Sequence, residues 1–383
     1  MKQLILLAAL LPAIAFSQEP RARDLGVPFD GTPGPLNAIT DVRGVTVGHS
    51  TVIQDYANGS AARTGVTAVL PRGMDSVMLP VFAGTAVLNG AGEMTGTIWV
   101  AASGFLEGPV MITTTQSVGM VFEETIKWRV NHAEPDPTGY AWSDPVVAET
   151  WGGRLNDENG FYVRQEHVVE AIESARSGPV AEGNVGGGTG MVCYQFKCGI
   201  GTASRVVETV DGEFTVGVLV QANYGWRDIL QISGVPVGRE IPVEQVADIR
   251  TPMDDEMGSI IVVVATDAPL LPYQLKRVAT RAGLGIARVG GMASNGSGDI
   301  FIAFSTANAQ ELRSGSNLSA RMLGNEHITP VFSGAVLATE EAIVNALVAA
   351  RTMTGFNGNT VEAIDHEALR SALRKYNRLE DTQ

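Results

Sequence analysis

Two apolar runs in the last third of the chain, SIIVVVAT (259–266) and DIFIAF (299–304), limit the fold more than any other feature. Each has the length of a strand, is rich in β-branched and aromatic residues, and shows almost no polar face. A strand that is apolar on both sides must be covered on both sides, so a sheet built on these two cannot lie open to water. Further strand signals end in Gly, Pro or Asn: ITDVRGVTVGHSTV, TGVTAVLP, TGTIWVA, PVMITTT and GEFTVGVLVQANYG. Helical spacing of apolar residues predicts helices over 118–130, 165–175, 272–281, 335–351 and 362–376. The two kinds of segment interleave without a fixed repeat. Together they predict an α+β protein of stacked layers, two sheets face to face with helices outside them.

Composition narrows the partners. Asp and Glu number 41 against 27 Lys and Arg, a net charge of -14, which argues against nucleic acid and anionic membrane surfaces. Hydrophobic residues at 45% and charged residues at 18% suit a large buried core rather than disorder. The 44 glycines point to many turns and close backbone approaches.

Residues 1–17 hold Lys2, an apolar stretch from Leu4 to Phe16, and small residues at Ala15 and Ser17. That pattern is a secretory signal, too short to span a bilayer, and no later run is expected to supply about 20 apolar residues. The expectation is a secreted, periplasmic protein that does not reside in a membrane. In an oxidising compartment Cys193 and Cys198 (CYQFKC) can form a disulfide; the alternative is two small buried hydrophobes. The segment from Pro242 to Gly258, ending TPMDDEMG, is predicted to be an exposed loop, and Ser259 opens a buried strand directly after it.

Most stock mechanisms have no local signature here. No Lys precedes Ser or Thr as in a Walker loop, and HExxH, a complete GxGxxG and GxSxG are all missing. The five His residues are scattered, so a Ser/His/Asp triad could arise only in space. The glycine run in NVGGGTGM fits either an anion-binding nest or, preferably, a tight turn where chain passes close to chain.

Nine blocks in order do carry a resemblance: ITDVRGVTVGH, GVTAVLP, NGAGEMTG, PVVAETWGGRLND, GNVGGGTGM, GIGTASR, VLVQANYG, GSIIVVVATDAPLLPYQLKR and NGSGDIFIAFSTAN. The sequence resembles the DmpA-like peptidase family, which includes the L-aminopeptidase/D-Ala-esterase and the β-peptidyl aminopeptidases. The resemblance implies a four-layer αββα sandwich and a precursor that cuts itself between Gly258 and Ser259. It further implies that residues 18–258 and 259–383 stay associated as α and β chains of one catalytic domain, commonly as a tetramer of αβ units. No metal or organic cofactor is implied.

The chemistry is physically reasonable. An N-terminal Ser carries its own base, because an α-amine has an ordinary pKa of about 8 against about 10.4 for Lys. In the uncut chain that nitrogen is an amide, so cleavage and activation coincide. Gly258 is expected to allow a strained backbone at the scissile bond. The resemblance assigns Ser297 and Asp299 to orienting Ser259 and its amine, and Asn223 to stabilising the oxyanion. Glu149 matches the residue that receives the substrate's free amine. Trp151 stands where the family pattern has a Tyr assisting the oxyanion, and an indole offers its donor in a different place. Each of these residues also has a bland reading, as a turn acid, a strand-ending Asn or a solvated Glu. The implied activity is a serine aminopeptidase acting on small peptides, amides or esters with a free amine. Rival readings are an acyltransferase of the ornithine acetyltransferase type, which uses Thr where this chain has Ser259, and a non-catalytic periplasmic binding protein on the same fold.

Overall fold

The computed structural model describes residues 20–77, 79–241, 258–309 and 319–381. The predicted leader over 1–17 and the loop predicted over 242–257 fall outside the described residues. In chain order the strands are β1 (Thr46–Asp55), β2 (Ala61–Met74), β3 (Val81–Gly90), β4 (Phe105–Leu106), β5 (Val110–Thr114), β6 (Val146–Thr150), β7 (Val192–Cys193), β8 (Phe196–Lys197), β9 (Ile200–Thr209), β10 (Gly212–Asn223), β11 (Ser259–Thr266), β12 (Gly298–Ser305), β13 (Met353–Thr354) and β14 (Thr360–Val361). The helices are α1 (Thr97–Ser103), α2 (Val118–His132), α3 (Gln165–Glu173), α4 (Val237–Glu240), α5 (Pro272–Arg288), α6 (Thr329–Val348) and α7 (His366–Lys375).

Two main sheets form, one in the order β1-β2-β5-β6 and one in the order β4-β3-β12-β11-β10-β9. The apolar strand β11 shows why they stack. Ile261, Val263 and Ala265 face the core between the sheets, whereas Ile260, Val262 and Val264 face a second core shared with α5, α6 and α7. A third core lies between the four-stranded sheet and helices α2 and α3. The layers therefore run helix, sheet, sheet, helix, as predicted. Each fully buried Val or Ile contributes about 1.5–3 kcal/mol, so a polar residue on either face of β11 would be strongly destabilising.

Helix positions follow from their apolar stripes. In α5, Leu275, Val278, Ala279, Ala282 and Ile286 recur at helical spacing and are all buried. Asp365 caps α7 by accepting from the Ala368 N–H at 2.7 Å. Helix α6 begins earlier than its periodicity predicts. Pro330 is tolerated in the first turn, where its missing N–H has no helical partner to lose, and Gly334 is a close contact with Val207 and Val216 rather than a break.

Three expectations need correction. TGTIWVA forms helix α1 instead of a strand: Gly96 (φ 70) and Gly104 (φ 81) bracket it in left-handed conformations, and of its residues only Val100 is buried. The start of ITDVRGVTVGHSTV is a turn, because the Asp41 carboxylate accepts from the Leu36 and Ala38 N–H groups and from Ser204 Oγ. The chain does contain a later apolar helix of spanning length, α6, with mean hydropathy 1.5. It is a core helix, since most of its residues are buried in the fold and its Glu341 pairs with the buried Arg205.

Candidate active site

Strand register sets three residues side by side at one end of the six-stranded sheet. Asn223 ends β10, Ser259 opens β11 and Gly298 opens β12; Asn223 pairs with Ser259, and Ser259 with Gly298. Ile261 and Val263 face the inter-sheet core, so period-two alternation turns Ser259 toward the same space. Gln221, two residues before Asn223, spans that space and donates to Thr113 O (2.9 Å) and Thr150 Oγ1 (2.8 Å) of the facing sheet.

The facing sheet contributes Glu149 near the end of β6. A strap over 91–96 joins the two sheets here: the Ala91 N–H donates to Ser297 O at 3.3 Å, Met94 bridges to Ala148, and the Thr95 N–H donates to Val147 O at 3.0 Å. The buried Glu149 carboxylate accepts from the Glu93 N–H at 3.0 Å and from the Thr115 hydroxyl. Burial raises its pKa above the ordinary value; the two hydrogen bonds oppose that shift, and the nearby carboxylates of Glu158 and Glu93 add to it. Such a group gains from a cationic partner.

Gly92 stands on the strap between this carboxylate and β12. A Cβ there would lie 3.1 Å from Glu149 Oε1 and 3.1 Å from Gly298 Cα, tighter than ordinary packing. Gly92→Val is expected to raise KM for an aminoacyl anilide about tenfold, since displacements of an ångström at a site are costly. Steady-state kinetics test this, and an unchanged KM would mean that the strap does not bound the substrate.

Ser259 is buried and touches the bond that precedes it. Its Oγ donates to Gly258 O at 2.5 Å. The Gly298 N–H points at the same pair of atoms, 3.1 Å from Gly258 O and 3.2 Å from Ser259 Oγ. A carbonyl holding two donors is polarised in the sense that nucleophilic attack requires. The small size of Gly258 allows close packing at this bond, as a Cβ would come within 3.0 Å of Asn223 O and Tyr224 Cα.

The other expected residues surround this point. Ser297 Oγ donates to Asp299 Oδ1 at 2.7 Å, and Gly298 between them supplies the N–H just described. Opposite Asp299 and Ile300 the register on β3 slips by a residue, a bulge that alters the strand's course beside the site. Asn223 accepts from the Val192 N–H at Oδ1 (2.9 Å) and donates from Nδ2 to Trp151 O (2.9 Å), so its amide orientation is set at both ends. Trp151 thus meets the site through its carbonyl, while its partly exposed indole lies over Gly153. Cys193 and Cys198 form a disulfide. The glycine run is buried: Cβ atoms at Gly186, Gly187 and Gly188 would strike Thr67, Gln221 and Ile200, which favours the close-approach reading.

Sequence reading missed Gly298, Gly92, Thr115 and the Glu93 N–H. Backbone donors and space between layers leave no side-chain signature, although the glycines of NGSGD and NGAGE do flank the relevant turns.

A profile of peptidase family S58 matches residues 37–361. A β-peptidyl aminopeptidase, BapA, of Sphingosinicella microcystinivorans is 52% identical, over 98% of this chain and 97% of its own. Another BapA, of Sphingosinicella xenopeptidilytica, is 47% identical over 95% and 94%. Among solved structures, the L-aminopeptidase D-Ala-esterase/amidase of Ochrobactrum anthropi, a serine aminopeptidase with a variant of the Ntn hydrolase fold, superposes with TM-score 0.87 at 50% identity, covering 94% of this chain and 100% of that one. A Burkholderia β-aminopeptidase superposes with TM-score 0.83 at 45% identity, over 93% and 99%. With the fold, the order of motifs and the relatives in agreement, this chain belongs to peptidase family S58, the DmpA-like serine aminopeptidases of the Ntn type.

Proposed function

We propose that the chain is made as a precursor that cuts its own Gly258–Ser259 bond and then uses Ser259, now N-terminal, to remove the first residue from small peptides, amides or esters. The observation that carries this reading is the Gly258 carbonyl, held by the Gly298 N–H and the Ser259 hydroxyl together at the head of β11. In the first step Ser259 Oγ attacks the Gly258 carbonyl carbon. The C–N bond breaks as the hydroxyl proton passes to the departing nitrogen. The resulting ester is hydrolysed by water, leaving a carboxylate on Gly258 and a free amine and hydroxyl on Ser259.

In the mature enzyme that amine takes the Oγ proton as Oγ attacks the substrate carbonyl and returns it to the leaving group; water, deprotonated by the same amine, then hydrolyses the acyl ester, freeing the first residue and restoring the Ser259 hydroxyl. Asn223 Nδ2 stabilises the oxyanion, the hydrogen-bonded pair of Ser297 and Asp299 orients the amine, and Glu149 receives the substrate's ammonium. The last contact restricts the enzyme to the amino end of its substrate.

The two chains stay together because the cut falls inside a sheet. β11 and β12 belong to the second chain, and they lie between β10 and β3 of the first. Export fits the disulfide and the leader pattern, and self-association as tetramers of αβ units is part of the same proposal.

N-terminal sequencing of the smaller fragment should read SIIVV; a different start would move the nucleophile. The names of the two BapA relatives and the Burkholderia enzyme favour β-amino residues as substrates. Matched anilides of a β-amino residue and its α counterpart should then differ in kcat/KM in favour of the former. An extra methylene is worth about 1–3 kcal/mol in a pocket, so the preference should be about 10- to 200-fold.

A further inference from the structure

Lys197 has no part in the chemistry above, yet it is among the most completely buried charged side chains of the chain. It sits in the CYQFKC hairpin, where β7 and β8 are joined through Tyr194 and Gln195, both left-handed (φ 52 and 59), and tied by the Cys193–Cys198 disulfide. Its Nζ donates to the carbonyl oxygens of Met191 (2.8 Å) and Cys198 (2.5 Å). Burial pushes its pKa well below that of an ordinary lysine. A neutral amine still offers two N–H groups to two carbonyls, so the arrangement does not depend on the charge.

The bonded peptide group leads to the reacting centre. Met191 O accepts twice, from Lys197 Nζ and from the Cys198 N–H at 3.0 Å. Across the same peptide plane the Val192 N–H donates to Asn223 Oδ1. An amide that accepts at oxygen donates better at nitrogen, because amide resonance moves electron density from nitrogen to oxygen, and chains of such bonds reinforce one another. The line from Lys197 through peptide 191–192 and the Asn223 side chain is a run of this kind, with its donor end at Asn223 Nδ2.

We infer that Lys197 is a positioning residue for the oxyanion donor: through the Met191–Val192 peptide it holds the Asn223 amide in one orientation and strengthens its N–H toward the substrate carbonyl. The inference rests on the reading of Asn223 as that donor. A buried lysine serving the fold alone would affect stability and would have no reason to couple to Asn223 in kcat.

A double-mutant cycle on the full-length, self-processed enzyme tests it, with rates expressed per cut chain. Asn223→Ala should lower kcat by about 10²- to 10³-fold, as loss of an oxyanion donor does. Lys197→Met should lower kcat about tenfold and leave KM within about twofold, because only the transition state carries the oxyanion. In the Asn223→Ala background Lys197→Met should change kcat by less than about twofold. Equal losses in both backgrounds, or a normal kcat for Lys197→Met, would overturn the inference while leaving the oxyanion reading intact. A normal kcat for Asn223→Ala would overturn both. Should Lys197→Met yield no soluble enzyme, Lys197→Gln is read in the same cycle: a loss confined to the Asn223 background supports the inference, and no loss or an equal loss in both overturns it.

Discussion

Ser259→Ala is expected to run on a denaturing gel as one uncut chain and to hydrolyse chromogenic amides at least about 10⁴-fold more slowly than wild type, the scale on which loss of a covalent nucleophile acts. Both effects follow from one atom. Ser259 Oγ is the group in contact with the Gly258 carbonyl, and Ala has nothing to attack it with. The substitution removes a single oxygen from a buried position, so the fold should persist and circular dichroism should match wild type. Mass spectrometry of the purified variant decides the matter, since cleavage of its 258–259 bond would place the nucleophile elsewhere.

The second large effect is expected at Glu149. Glu149→Gln keeps the shape of the side chain and removes the charge, and kcat/KM should fall about 10²- to 10³-fold, in the range measured when one member of a buried charged pair is truncated. Most of the loss should appear in KM if the ammonium is held equally in ground and transition states. The raised pKa fixes the direction of the pH dependence. As pH falls, Glu149 takes up its proton at a higher pH than an ordinary carboxyl, so wild-type KM should climb on acidification from a point above the usual Glu range. That limb should be missing in the variant.

Stability should move the opposite way. A carboxyl whose pKa is higher in the folded state favours folding below its unfolded pKa, and that contribution is lost as pH rises through the raised value. At neutral pH the ionised, buried Glu149 therefore opposes folding, and Glu149→Gln should raise Tm while it weakens binding. A lower Tm together with an unchanged KM would remove Glu149 from the amine site and make it a structural residue.

Much of the architecture was legible because covered strands and amphipathic helices write their burial into residue order. β11 and β12 were readable from their apolar runs, and helices α2, α3, α5, α6 and α7 from apolar spacing. α1 was not, since TIWV suits a strand in isolation and left-handed glycines bracket it as a short helix with only Val100 buried. The site residues entered through ordered motifs rather than through periodicity. At Gly258 the coordinates add a packing reason for glycine that residue order does not record, since a Cβ there would press on Asn223 and Tyr224.

By itself, then, the order of residues determined the layered fold, the serine that opens a buried strand, and membership of a family with recognisable motifs. Tertiary structure alone decided that Asn223, Ser259 and Gly298 share one register line, that Glu149 arrives from the opposite sheet beside Gly92, and that Lys197 reaches Asn223 through a peptide group. The physical reason is that these relations join segments far apart along the chain through backbone donors and interlayer distances. Backbone N–H groups are common to every residue but proline, and no local pattern of side chains records which two of them will meet.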